Sequence, residues 1–111
     1  LVVDDDDDFR MALGFILNSS GYKLTEAAGS QKGLEKYEQI KPGLVLVDLM
    51  IEEEDSGIKF LKKLQEMGNT SPVYLLSGIG SSISDEHGFE GILQKPIDNM
   101  QLLSIVRKHL G

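Results

Sequence analysis

The stretch Leu44 to Asp48, LVLVD, sets the strongest constraint on the fold. It is a continuous apolar run of strand length, not an alternating one. Such a run suits a central strand covered on both faces, as in a parallel sheet. Leu1 to Val3, Val73 to Leu76 and Gly91 to Gln94 read as further buried strands, and Lys23 to Ala27 as a short one. Between them lie amphipathic stretches of helix length. Phe9, Ala12, Leu13, Ile16 and Leu17 recur at helical spacing, and Gly21 stops that helix. Ser30 is placed to cap a second helix carrying Leu34, Tyr37 and Ile40, which ends before Pro42 and Gly43. Ser56 is placed to cap a third, with Phe60, Leu61, Leu64 and Met67 inward and Gly68 as its stop. Asp98 starts the last helix, with Gln101 completing a capping box, Ile97 stapling onto Leu102, and Leu102, Leu103, Val106 and Leu110 inward.

The order is βαβαβαβ, a weak helical region, then βα. This alternation predicts an α/β fold with a parallel sheet and helices on both faces. The 111 residues suffice for one domain with one core. The chain begins inside a strand, which reads as a piece of a longer protein. No apolar run approaches the ~20 residues that span a bilayer, so no membrane contact is expected. There is no cysteine, which excludes disulfides, thiolate nucleophiles and Cys-based zinc sites and fits a cytoplasmic location.

The net charge of −7 argues against direct nucleic-acid binding. Its distribution says more. Asp4 to Asp8, Asp48, and Glu52 to Asp55 supply ten of the 18 acids. The other eight face 11 basic residues, so the net acidity is local to loops at strand ends, which is where open α/β sheets bind ligands. The residues at those ends are Asp4, Asp5, Asp48, Ser77 and Lys95. Clustered carboxylates repel one another, by ~4 kcal/mol for unit charges about 4 Å apart at an effective dielectric of 20. They therefore raise each other's pKa or recruit a cation. Oxygen-only ligands point to a hard ion such as magnesium, and magnesium to phosphoryl transfer. An aspartate can itself attack phosphorus, and Asp48, ending the most buried strand, is best placed to do so. Ser77 can donate to a phosphoryl oxygen, and Lys95 can pair with it as a point charge. Lys95-Pro96 offers an X-Pro bond that can be cis.

With VVDD at Val2 to Asp5, LVLVD ending at Asp48, LLSG containing Ser77 and QKPI containing Lys95 and Pro96, the chain resembles a response-regulator receiver domain of two-component signalling. The resemblance covers essentially residues 1–111, read as one receiver domain. It implies a flavodoxin-like doubly wound sheet of five parallel strands in the order 2-1-3-4-5. It implies that Asp48 takes a phosphoryl group from a phosphohistidine on a histidine kinase or histidine phosphotransfer protein. Magnesium would be bound by Asp5 and Asp48 directly, by the Met50 backbone carbonyl, and by Asp4 through water. Ser77 and Lys95 would contact the phosphoryl group. The domain would act as a phosphorelay switch, catalysing only its own phosphorylation and dephosphorylation, alone or within a hybrid histidine kinase or larger regulator.

The sequence departs from the family pattern at four places. The loop after Asp48, LMIEEEDSG, lacks the usual proline, and its acidic run reads as solvated. The Ser77 to Lys95 segment is about one helical turn short and rich in Gly and Ser, which predicts a short or frayed fourth helix. Ile92 stands where the family often has a switching aromatic. Met50 and Ile79 stand two residues beyond Asp48 and Ser77, where apolar side chains cannot orient an attacking water; a long-lived aspartyl phosphate is expected.

Asp6 to Asp8 read as capping and solvating the first helix. His87 and His109 read as surface residues. Two alternatives remain: a pseudo-receiver that is never phosphorylated, and a phosphatase with an aspartyl-phosphate intermediate. The latter class carries a second aspartate where this chain has Met50.

Overall fold

The computed structural model describes residues 1–51, 56–78 and 88–111. Among these residues the elements run β1 (Val2–Val3), α1 (Asp7–Ser19), β2 (Glu26–Ala27), α2 (Ser30–Ile40), β3 (Val45–Asp48), α3 (Ser56–Glu66), β4 (Val73–Ser77), β5 (Gly91–Gln94) and α4 (Asn99–Leu110). All strand pairings are parallel, and the order is β2-β1-β3-β4-β5, as expected. The fourth helix expected between Ser77 and Lys95 falls on residues outside the described set, as do the acidic run Glu52 to Asp55 and His87.

Successive strand residues point to opposite faces, so the continuous apolar runs feed two cores at once. Val2, Leu46, Tyr74, Leu76 and Leu93 pack with Leu13 and Leu17 of α1 and Leu102 and Val106 of α4. Val3, Val45, Val47, Val73 and Leu75 pack with Phe60, Leu61 and Leu64 of α3, with Leu34 and Tyr37 of α2 alongside. Helices α1 and α4 therefore cover one face, and α2 and α3 the other. Val45, Val47 and Leu75 are fully buried, as a double-covered central strand requires.

Helix boundaries follow local chemistry. Asp6 caps α1 by accepting from the Phe9 amide, and Gly21 leaves that helix at φ +89°, a left-handed conformation that a Cβ disfavours. Asp98 caps α4, but its carboxylate takes the Met100 amide rather than that of Gln101. Ile97 packs with the cluster that holds Leu102.

Several expectations need correction. The N-cap of α2 is Gly29, with no side-chain cap bond, and Ser30 is already helical. Ser56 likewise lies inside α3; its hydroxyl accepts from the Ile51 amide at 2.6 Å and so ties the loop after β3 to the helix. The strand expected from Lys23 pairs only over Glu26–Ala27. Ile40, Met67 and Leu110 are exposed rather than inward, because each lies at the end of its helix. Ala12 is also exposed. His109 is no simple surface residue: its Nε2 lies 2.8 Å from the Tyr74 hydroxyl, with the rings edge to face.

Candidate functional site

The carboxyl ends of β1, β3, β4 and β5 bring together the acids and the lysine that the sequence placed at strand ends. Asp4, Asp5 and Asp48 each bring a carboxylate oxygen to within 4.8 Å of the others. Asp4 is fully buried, Asp48 half-buried and Asp5 exposed. The donor set is oxygen only and carries three negative charges, which suits a hard divalent cation that keeps several waters.

Asp4 is held from three sides. Its Oδ1 accepts from the Asp6 amide at 2.9 Å, and its Oδ2 accepts from Lys95 Nζ at 2.7 Å. Its backbone carbonyl accepts from the Arg10 guanidinium. Lys95 also reaches Asp48, at 3.5 Å. The lysine is delivered by β5, whose parallel pairing with β4 continues through the Lys95 amide to the Ser77 carbonyl at 2.8 Å. The Lys95-Pro96 bond is cis.

These contacts set the charge states. Burial pushes the Asp48 carboxyl above its ordinary value; the charges of Asp4 and, more weakly, Asp5 push the same way, and Lys95 opposes them. Burial would pull Lys95 down, but its bond to Asp4 and the charge of Asp48 outweigh that and hold the ammonium above the ordinary lysine value. Lys95 is therefore a fixed positive charge at neutral pH.

Ser77 ends β4 and is buried beside this group, in register with Gln94. Met50 lies two residues beyond Asp48 with its side chain 55% exposed. Ile92 is half-buried against the α2 and α3 core. Ile79 lies outside the described residues. Gly57 allows α3 to approach β3: a Cβ there would stand 2.3 Å from the Asp48 carbonyl oxygen and 2.8 Å from Leu49 Cα.

Residues 1–107 match the model of the response regulator receiver domain. The chain belongs to that family. Among relatives of this receiver, sporulation initiation phosphotransferase F of Bacillus subtilis is 30% identical over 99% of this chain and 91% of that protein. The transcriptional regulatory protein FixJ of Azorhizobium caulinodans is also 30% identical, over 99% of this chain but 54% of its own length. The receiver thus spans about half of FixJ. The receiver domain of NtrX from Brucella abortus superposes with a TM-score of 0.88 at 24% identity, covering 98% of this chain and 95% of that one, a likeness of fold.

Arg10 escaped the sequence reading. Its side chain, 12% exposed, ion-pairs with Asp7 and with Glu26 of β2 at 3.1 Å while holding the Asp4 carbonyl. It locks the acidic loop to the sheet edge. Its spacing of three from Asp7 was visible in the sequence; its reach to Glu26 was not.

Proposed function

We propose that this receiver domain is a magnesium-dependent phosphoacceptor switch in which Asp48 takes a phosphoryl group from the phosphohistidine of a kinase or phosphotransfer protein. The observation that carries the reading is the Asp4, Asp5, Asp48 and Lys95 cluster at the carboxyl edge of the sheet. Residues 1–111 act as one receiver unit in the cytoplasm, alone or within a hybrid kinase or larger regulator.

The roles follow from position and charge. The Asp48 carboxylate attacks phosphorus, forming an O–P bond as the donor's N–P bond breaks and its imidazole leaves and takes up a proton. Asp5, Asp48 and the Met50 carbonyl would hold magnesium, with Asp4 acting through water, and the ion would supply positive charge to offset the repulsion between phosphoryl oxygens and the acids. Lys95 contributes a charge that needs no protonation at working pH. Ser77 donates from the end of the neighbouring strand. Replacing the Asp48 charge by a larger dianionic group gives Lys95 a more strongly charged partner and gives Ser77 a new acceptor. A pre-existing two-state equilibrium then shifts through these two strand ends. The apolar Met50 and Ile79 leave attacking water unoriented, so the phosphoryl group persists, and Ile92 transmits the change without the swing of an aromatic ring.

Beryllofluoride with magnesium, a stand-in for the phosphoryl group, tests this reading by NMR. Shifts centred on Asp48, Ser77 and Lys95 that require both components support it. A spectrum unmoved by either points instead to a pseudo-receiver that binds partners without phosphorylation.

A further inference from the structure

Lys95 has a third neighbour besides its two carboxylates. Its Nζ lies 4.3 Å from the centroid of the Phe9 ring, over the ring face. A cation so placed is attracted by the negative face of the aromatic quadrupole. The ring is itself fixed. The Phe9 amide donates to Asp6 Oδ1 at 3.2 Å, and its side chain packs on the core between α1, α4 and the sheet. Asp6 in turn donates its amide to Asp4, which accepts from Lys95. The contacts therefore close a circuit: Asp4 to Asp6, Asp6 to Phe9, Phe9 to Lys95, and Lys95 back to Asp4.

We propose that Phe9 is a positioning residue that holds the Lys95 ammonium over the site while its carboxylate partners change. The inference rests on the phosphoacceptor reading. Asp4 and Asp48 are the groups whose charge or partners alter when a cation and a phosphoryl group arrive. The ring alters with neither. It keeps Lys95 within reach of Asp48 when Asp4 turns from the ammonium toward a cation. A leucine at position 9 would cover the same apolar surface but exert no pull on the charge.

A double-mutant cycle of Phe9→Leu with Lys95→Gln on the whole chain tests this. Glutamine keeps a donor for Asp4 and removes the charge. In urea unfolding of the metal-free protein, the two substitutions couple by about threefold in the unfolding constant. In a magnesium titration followed by amide shifts, Phe9→Leu tightens binding about threefold, because a loosened ammonium competes less for Asp4. The same substitution slows phosphorylation by acetyl phosphate. It leaves magnesium affinity unchanged when Lys95→Gln is also present, and Phe9→Trp behaves as wild type. Additive unfolding effects overturn the inference. So does weaker magnesium binding on Phe9→Leu to the same degree with and without Lys95→Gln, which is the mark of lost helix packing. If wild type bound no magnesium while the unfolding cycle still coupled, the contact would stand and the phosphoacceptor reading would fall. If magnesium bound and the cycle were additive, only the role of Phe9 would fall.

Discussion

Lys95 reaches across 91 residues of sequence to place its ammonium 2.7 Å from the fully buried carboxylate of Asp4. The second acid, Asp48, lies farther off at 3.5 Å. In the metal-free protein the lysine is thus the chief counter-ion of Asp4, and its removal leaves a buried charge unpaired. Lys95→Met is expected to cost about 3–5 kcal/mol of stability. Asp4→Asn in the same chain should recover most of it. Because the folded protein holds the Lys95 proton more tightly than the unfolded chain, this contribution is complete below pH 10.5 and is lost as pH rises through the folded value. Denaturant unfolding of the two variants at neutral and alkaline pH checks both points.

Asp48 carries the opposite sign. Its folded carboxyl lies above the ordinary 3.8, so the folded state binds more protons than the unfolded state, and stability falls as pH rises from there. Asp48→Asn should therefore stabilise the metal-free protein at pH 7, by on the order of 1 kcal/mol. The gain should vanish below pH 3.8, where wild type is protonated both folded and unfolded. Saturating magnesium should reverse the order, since it stabilises the chain with the intact carboxylate. Thermal melts with and without magnesium across this range read it directly.

The approach of α3 to β3 makes a separate demand. Gly57→Ala forces a methyl against the backbone of Asp48 and Leu49, which cannot yield as a side chain would. We expect a loss of about 1–3 kcal/mol. Amide shifts should concentrate at Asp48, Leu49 and Ile51, with α1 and α4 unchanged.

The lifetime of the phosphoryl group is expected to depend on Met50. Met50→Asn supplies a polar group able to orient water beside Asp48. Dephosphorylation should accelerate about five- to tenfold, the worth of one hydrogen bond of about 1 kcal/mol. Loss of the adduct over time by intact mass measures it; an unchanged lifetime would remove Met50 from the account.

The sheet and the strand-end residues were legible because parallel strands covered on both faces need unbroken apolar runs, and each run here stops at its polar residue. Asp4, Asp5, Asp48 and Lys95 converge for that reason. Features that depend on side chains crossing between elements were not legible. Arg10 reaches Glu26, Phe9 covers Lys95 and Tyr74 meets His109 only after the sheet order is fixed. Helix ends were read one turn too far inward, since Ile40, Met67 and Leu110 continue the apolar period beyond the surface that could cover them.

Phosphoryl transfer to Asp48 is tested most simply by intact-mass spectrometry of wild type and Asp48→Asn after incubation with acetyl phosphate, with magnesium or with EDTA. One phosphoryl adduct is expected in wild type with magnesium, none with EDTA and none in the variant. An adduct that persists in Asp48→Asn, or forms equally in EDTA, would contradict it.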